Sequence, residues 1–232
     1  MPHRRLISGL AAAATALAIG GCTVGTAATR RPADRTRPIA DTSAASPTPS
    51  PFPSASAPAA PPVSRRLHMA KEYQSTSYNC APASGVMSLS TFHITVRQSA
   101  LARKMRTKSP KGTAGDDAMA ALRDFLHDTR YSLTFEGLPS SPPDFLLKEV
   151  AYDVGVLGRA PLVAVWWERL PWNKGIGSRH KLGHLIVAYG YDRKKGTVTV
   201  FDPWRPTGGT HTLRAAALTR ALQPSGLYYI YD

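Results

Sequence analysis

Cys80 is the residue of this sequence that is best placed to act as a nucleophile. It is the only cysteine after Cys22, and apolar residues follow it at steps of three and four, a pattern that predicts a buried helix running to about Phe92. Cys80 would then lie in the first turn of the helix, where unpaired backbone N–H groups and the helix dipole favour a thiolate. A cationic neighbour would lower its pKa from about 8.5 into a range of roughly 3.5 to 7.5. The spacing therefore predicts a reactive thiol.

Three further residues supply the groups that a thiol nucleophile needs. Gln74 precedes Cys80 by six positions, so a loop can bring its amide beside the Cys80 N–H and complete an oxyanion hole. His184 opens one predicted strand, and Asp202 ends the next one. A hairpin turn over residues 192–196 would bring these far ends together. The pattern therefore predicts His184 as the general base and Asp202 as the residue that orients it.

These residues, in this order, resemble the bacteriocin-processing cysteine peptidase family and its stand-alone relatives within the papain-like group. The shared features are a glutamine six positions before a Cys-x-Pro-Ala segment, a late strand that starts with Gly-His, and a following strand that ends in Asp-Pro. The segment from Arg97 to Lys111-Gly112-Thr113 also resembles the stand-alone branch. The likeness covers residues 70–231.

The resemblance implies a papain-like cysteine peptidase fold and gives each site residue a role. It implies Cys80 as the nucleophile, His184 as the general base and Asp202 as the residue that orients His184. Gln74 is implied as the oxyanion donor. The chain departs from the family's usual pattern at Ala81, because the family usually has a glycine directly after the cysteine. A methyl group there would either narrow the approach to the thiol or pack into the helix.

Composition divides the chain into three parts. Residues 1–22 have a basic start, an apolar run and small residues before the cysteine, which is the layout of an export signal. Residues 23–66 are rich in Pro, Ala, Ser and Thr and are predicted to form a disordered tether, because they cannot bury enough apolar surface to fold. Residues 67–232 are long enough for one hydrophobic core and form the predicted peptidase-like domain.

The folded part is predicted as an α+β domain, with N-terminal helices packed on a C-terminal antiparallel sheet. Ser141-Pro142-Pro143 is typical of a helix start and Gly158 of a helix stop. Residues 168–183, with Trp172, are predicted to form a lid or a wall of the substrate groove. The predicted helices are 80–92, 96–106, 115–127, the stretch after Pro143 up to 157, and 214–222; the predicted strands are 131–136, 161–167, 183–189, 197–202 and 227–231.

Ile19-Gly20-Gly21-Cys22 resembles the lipobox of bacterial lipoproteins, in which the cysteine is lipidated and becomes the mature N-terminus. This resemblance implies an exported protein, held at the outer face of the bacterial cytoplasmic membrane by a lipid on Cys22. The alternative is a secreted protein that is cleaved near the same position. In both cases Cys80 has no intramolecular partner, so no disulfide is expected despite export.

A strong excess of basic residues indicates anionic partners. The chain carries 29 Lys and Arg against 15 Asp and Glu, a net charge of +14, with basic clusters at 103–111 and 193–195. It contains no nucleic-acid motif, so anionic cell-envelope polymers are the expected partners rather than nucleic acid. His180 and His184 have no third ligand at a recognisable spacing, and neither a metal nor another cofactor is expected. The domain is expected to be a monomer.

Two classes of function remain open from the sequence. The first is an exported cysteine peptidase or amidase that cleaves a peptide or isopeptide bond through an acyl-enzyme. Transfer of the acyl group to an amine, as in transglutaminases and transpeptidases, would use the same groups. The second class is a non-catalytic peptide- or cell-wall-binding domain on the same fold. A leader peptidase for double-glycine precursors is disfavoured, since the sequence holds no transporter domain.

Overall fold

The computed structural model describes residues 60–136, 143–176 and 181–232. The predicted export signal, Cys22 and most of the predicted tether lie outside these residues. The same holds for His180 and for the Ser141-Pro142 start of the fourth predicted helix. No helix within the described ranges combines the length and the apolar character that a membrane span requires.

Five α-helices are present in the described ranges, close to the positions that apolar periodicity predicts. The fourth one continues as a π-helical turn over Asp153–Leu157, and Gly158 ends it with a φ of 69°. This left-handed conformation is strained for any residue with a Cβ, which explains why the predicted stop is a glycine. The helices are α1 (Cys80–Ser90), α2 (Gln98–Lys104), α3 (Gly115–Leu126), α4 (Pro143–Tyr152) and α5 (Ala215–Thr219).

One antiparallel sheet of seven strands forms the centre of the described fold. Its strands are β1 (Ser64–Arg66), β2 (Ser132–Glu136), β3 (Leu162–Trp166), β4 (Gly183–Asp192), β5 (Thr197–Asp202), β6 (Gly209–Arg214) and β7 (Leu222–Tyr231). Their order is β2-β7-β3-β4-β5-β6, and β1 pairs with the last residues of β4. β4 is therefore an interior strand, with β5 along one edge and β3 and β1 along the other.

Helices cover both faces of the sheet. Leu185 and Val187 of β4 belong to a core shared with α1, α2 and α3. Ile186 and Ala188 belong to a second core shared with α4 and α5, because side chains alternate between the faces of a strand. Fully burying a large aliphatic side chain contributes roughly 1.5–3 kcal/mol, so both cores stabilise the fold. The predicted α+β arrangement, with N-terminal helices on an antiparallel sheet, is confirmed.

Small and hydroxyl side chains fix α1 against the sheet and against α2. Ser84 Oγ donates to the carbonyl of Leu185 at 2.7 Å, and Ser88 Oγ donates at 2.7 Å to a backbone carbonyl just before β3. A Cβ on Gly85 would lie 2.7 Å from Cδ2 of Leu101, so the glycine lets the side chains of α2 approach α1 closely. These contacts determine where the N-terminus of α1 lies relative to β4.

The sequence does not predict β1 or β6. β1 falls inside the predicted tether, so the structure extends the folded part upstream of Leu67. Its residues are exposed, and neighbouring backbone bonds hold the segment: Leu67 N donates to Tyr189 O, and Arg193 N donates to Val63 O, both at 2.8 Å. An edge strand with no buried side chain leaves no apolar alternation to detect. β6 is largely polar as well, and the last strand starts at Leu222 rather than at 227.

Candidate active site

Cys80 is the first residue of α1, as the sequence predicts. It is half-buried, and within the described chain it is a free thiol. The first turn contains no acidic residue and has no side-chain cap, so no anion offsets the positive end of the helix dipole there. This position favours a thiolate over a thiol.

His184 and Asp202 form a buried pair beside Cys80. His184 Nε2 lies 2.7 Å from Asp202 Oδ1, and the two side chains are 5% and 0% exposed. Asp202 also accepts hydrogen bonds from the backbone N–H of Trp204 at 2.9 Å and from Nε1 of Trp172 at 2.8 Å. The carboxylate occupies Nε2, so Nδ1 is the ring nitrogen left for the hydrogen bond between His184 and Cys80.

One extra residue in β4 changes the register between β4 and β5. Close to the hairpin turn Gly190 pairs with Thr199, whereas Ala188 pairs with Val200. Tyr189 is therefore unmatched, which is the arrangement of a β-bulge. Beyond the bulge, each residue of β4 lies opposite a different partner from the one that an unbroken hairpin would give.

This bulge puts His184 and Asp202 on the same face of the sheet. Val187 pairs with Phe201, so the next step brings Asp202 opposite Ile186. His184 shares the face of Ile186, because side chains alternate along a strand. In an unbroken register Asp202 would lie opposite Val187 and on the other face from His184. The sequence predicts that the strand ends meet, but not this change of face.

The surroundings favour an ion pair of thiolate and imidazolium. Burial would raise the pKa of Cys80, but the hydrogen bond and positive charge of His184 outweigh burial and lower it. Backbone N–H groups of Leu185 and Ala81 act in the same direction. Burial also opposes charge on His184, yet Asp202 and Cys80 together raise the pKa of its imidazole to about 10. For Asp202, hydrogen bonds led by His184 outweigh burial, so its pKa is lowered and it stays ionised.

Gln74 lines the same cavity as Cys80, and two hydrogen bonds hold it there. Its backbone N–H donates to the carbonyl of Pro203 at 2.9 Å, and its Nε2 donates to the carbonyl of Thr76 at 2.7 Å. An amide nitrogen carries two hydrogens, so one N–H remains for a substrate oxyanion. Exchanging the amide O and N would set Oε1 against the Thr76 carbonyl, which supports Nε2 as the donor.

If Gln74 is the oxyanion donor that the sequence predicts, replacing it by alanine should lower kcat by about a hundred- to a thousandfold, because such a donor acts on the transition state. Alkylation of Cys80 by iodoacetamide forms no oxyanion, and its rate should stay within about twofold of the wild-type rate. Steady-state kinetics and alkylation rates on the same samples measure both effects. An unchanged kcat would contradict the assigned role, and slower alkylation would show that the variant disturbs the Cys80–His184 pair instead.

Gln98, the first residue of α2, secures the loop that carries Gln74. Its side chain is 6% exposed. Oε1 accepts hydrogen bonds from the N–H and the hydroxyl of Ser75 at 2.8 and 2.7 Å. Nε2 donates to Glu72 Oε1 at 2.6 Å and to the carbonyl of Tyr73 at 3.1 Å. The sequence gives no signal for this role, since a glutamine at the start of a short helix matches no site motif.

A Gln98→Leu variant separates the placement of the loop from the donor itself. It keeps the Gln74 amide but should lower kcat by about ten- to a hundredfold. A displacement of a reacting group by about 1 Å is enough to slow a reaction to that extent. In Gln98→Glu, a protonated carboxyl can accept from Ser75 and donate to Glu72, whereas a carboxylate repels Glu72. The activity of that variant relative to wild type should therefore rise as the pH falls. A flat ratio would indicate that Gln98 does not position the loop.

A cavity of about 600 Å³ opens over Cys80 and His184. Residues 110–113 line one part of it, and Trp167 and Tyr228 line another. A cavity of this size accommodates several residues of an extended substrate.

The prediction that residues 168–183, with Trp172, form a lid or a wall of the groove is only partly correct. Trp167 and Trp204 line the cavity, whereas Trp172 donates to Asp202 and stacks on His211 with ring centroids 3.8 Å apart. Trp172 therefore covers the carboxylate instead of facing a substrate, because its short 3₁₀ turn directs it to the end of β5. Residues 181–183 of the predicted lid do line the cavity, and residues 177–180 lie outside the described ranges.

Ala81 packs into the core and also borders the cavity. It is 6% exposed and lies in the core shared by α1 and the sheet. Its methyl group is therefore buried in the core at the edge of the cavity. In the described part of the chain, no three His, Cys, Asp or Glu side chains converge as metal ligands would.

Residues 66–221 match the Peptidase_C39 like family. No curated protein gives a significant match. Among solved structures, a double glycine motif protease from an AMS/PCAT transporter, in complex with the leader peptide, is 16% identical with a TM-score of 0.49; the match covers 71% of this chain and 92% of that one.

Two other solved structures show a similar degree of likeness. A C39-like peptidase from Bacillus anthracis is 15% identical, with a TM-score of 0.49 and coverage of 69% and 94%. The peptidase domain of Streptococcus ComA, a bifunctional ABC transporter of a quorum-sensing pathway, is 13% identical, with a TM-score of 0.46 and coverage of 69% and 94%.

Proposed function

The chain belongs to the Peptidase_C39 like family of cysteine peptidases, and from this membership and the site around Cys80 we propose that it hydrolyses peptide or isopeptide bonds. Cys80 is the nucleophile, His184 the general base and acid, Asp202 the residue that orients His184, and Gln74 the oxyanion donor. The proposal depends above all on the buried 2.7 Å contact between His184 and Asp202, with His184 also hydrogen-bonded to a half-buried thiol.

Each group has a defined part in the reaction. The Cys80 thiolate attacks the substrate carbonyl carbon, and the resulting oxyanion accepts hydrogen bonds from Gln74 Nε2 and from the Cys80 N–H. His184 then gives its proton to the leaving amine, and the C–N bond breaks to leave a thioester on Cys80. His184 next takes a proton from water, which attacks the thioester and releases the acid. Asp202 supports the imidazolium whenever it forms.

The lining of the cavity favours neutral or acidic peptides. Lys111 and Lys181 border it from separate loops, and no Asp or Glu of the described residues lines it. A substrate with several basic side chains would meet like charge there, which lowers its rate of association.

Incubation of the full chain with a mixed peptide library, followed by mass spectrometry, tests the proposal. We expect shortened peptides and an acyl adduct on Cys80 after a rapid acid quench. An added amine such as glycinamide competes with water for the thioester. Amide products in large excess over acids would favour the acyl-transferase alternative, and the absence of both adduct and product would favour a non-catalytic binding domain.

We also propose that the protein is exported and anchored through a lipid on Cys22, with a tether that lets the folded part reach anionic cell-envelope polymers. The support is the apolar segment that ends at Cys22 and the net charge of +14. Mass spectrometry of the mature N-terminus should find a lipid-modified Cys22 in the membrane fraction. An unmodified N-terminus in the medium would support the secreted alternative.

A further inference from the structure

A second cavity lies at the opposite end of β4 from the proposed active site, where β1 joins the sheet. Its volume is about 430 Å³, and no residue lines both cavities. His184 is near the start of β4 and Asp192 is at its end. At about 3.3 Å per residue, the two cavities are on the order of 25 Å apart along the strand. We call this second cavity the basic groove, after Arg65, Arg66 and Lys195 at its margin.

The floor of the basic groove is a nearly flat array of polar side chains. Arg66, Gly190, Thr199 and Thr212 form one row across four strands. The hydroxyls of Thr199 and Thr212 are 3.0 Å apart. Gly190 adds no side chain to the row, and a Cβ there would come within 3.2 Å of Thr199 Cβ. The next row on the same face consists of Ser64, Asp192, Thr197 and Arg214.

The arginines of the basic groove bond to neutral groups. Arg66 Nη2 donates to Thr199 Oγ1 on the floor of the groove at 3.2 Å. Arg65 pairs with Tyr191 and so belongs to the other face of the sheet, where its Nη1 donates to the Gly155 carbonyl at 2.9 Å. Neither arginine forms an ion pair within the described ranges. Lys195 pairs at 3.7 Å with Asp192, which is the one carboxylate among the groove's lining residues. Arg66 therefore keeps its positive charge on the floor of the groove, and Arg65 adds a positive charge at the margin.

The basic cluster at residues 103–111 is different. There Lys104 forms an ion pair with Asp124, and Arg106 lies 3.8 Å from Asp117. Part of that charge is neutralised within the fold. The basic groove differs from that cluster because its cations lie beside the hydroxyl groups of Thr197, Thr199 and Thr212, a combination that suits a phosphate ester.

We propose that the basic groove binds a phosphate polymer with a polyol backbone. Guanidinium groups match the geometry of phosphate oxygens, and threonine hydroxyls can both donate to and accept from a polyol. The groove offers no free aromatic face on which a base could stack, because Tyr191 is 4% exposed and its hydroxyl donates to the Pro62 carbonyl. A polyol phosphate therefore fits better than a nucleic acid. The inference rests on the proposed export only for the place where the protein meets the polymer; the binding itself does not depend on export.

The test uses the full chain and purified poly(glycerol phosphate), with affinity measured over a series of salt concentrations. Changing Arg65, Arg66 and Lys195 together to glutamine should weaken binding by at least about tenfold at 0.1 M salt and make the salt dependence shallower. The matched control changes three exposed basic residues elsewhere, Arg103, Lys148 and Arg220, to glutamine. It removes the same charge and should alter affinity by less than about twofold.

A gain of affinity provides a test that misfolding cannot imitate. Asp192→Asn removes the groove's carboxylate but keeps an oxygen that can accept from Lys195 N, as Asp192 Oδ1 does at 2.9 Å. It should tighten binding about two- to threefold. Equal losses in the groove and control variants, or no gain for Asp192→Asn, would overturn the proposal. So would tighter binding to a single-stranded oligonucleotide than to the polyol phosphate. Peptide hydrolysis by the groove variants should match wild type, so a failure here is separate from a failure of the proposed peptidase function.

Discussion

Replacing Cys80 by alanine should abolish peptide hydrolysis, with kcat falling by about five to six orders of magnitude. In the proposed mechanism the Cys80 thiolate forms the covalent bond with the substrate carbonyl carbon. The substitution removes one sulfur from a half-buried site at the start of α1, so the fold should persist. Initial rates on a peptide found in the library screen, with a thermal melt as a check of folding, measure the effect.

The same variant separates an enzyme from a binding domain. Binding of an uncleaved peptide should change little in Cys80→Ala, because the cavity walls remain. Cys80→Ser is the matched control for the loss of side-chain volume in Cys80→Ala. Its hydroxyl is similar in size to the thiol but is not ionised at neutral pH, so it should bind the peptide without cleaving it. If Cys80→Ala and wild type gave the same biological activity, the function would be binding rather than catalysis.

Replacing His184 by alanine should lower kcat by about four to six orders of magnitude and also change the pH dependence of Cys80. In the wild-type protein the pKa of Cys80 is lowered, so the thiolate persists below the ordinary value of about 8.5. Without His184, burial is the main remaining influence, and the pKa of Cys80 should rise above that value. The pH midpoint of iodoacetamide alkylation measures this shift.

The direction in which activity changes with pH follows from the same two groups, Cys80 and His184. Activity should rise as the pH increases through the lowered pKa of Cys80, because the thiolate is then formed. It should fall again as the pH approaches about 10, where His184 loses the proton that the leaving amine needs. An alkylation midpoint that is the same with and without His184 would show that the two groups do not act as a pair.

The sequence predicts the helices and the β4–β5 hairpin well, because both have a strong apolar period. α1, α3 and the stop at Gly158 lie within about two residues of their predicted ends. β1 and β6 escape prediction because exposed, polar strands are held mainly by backbone hydrogen bonds. Tertiary pairing, rather than side-chain pattern, decides that these segments are strands.

The candidate site shows the same division between local and tertiary information. The types and spacing of Gln74, Cys80, His184 and Asp202 are visible in the sequence, and the structure brings all four to one region. Trp172 and Gln98 are not identifiable in advance as support for the site. Their roles depend on partners that are 30 and 23 to 26 positions away in the chain, where spacing carries no signal.

The unmatched Tyr189 makes the His184–Asp202 pair depend on the length of β4 as well as on its residues. Deleting that one residue would leave every proposed catalytic group in the chain, yet it would turn His184 to the face opposite Asp202. Substitutions along this hairpin can be absorbed by repacking, whereas a change of a single residue in its length cannot. Insertions and deletions in this hairpin should therefore disrupt the His184–Asp202 pair far more than substitutions do.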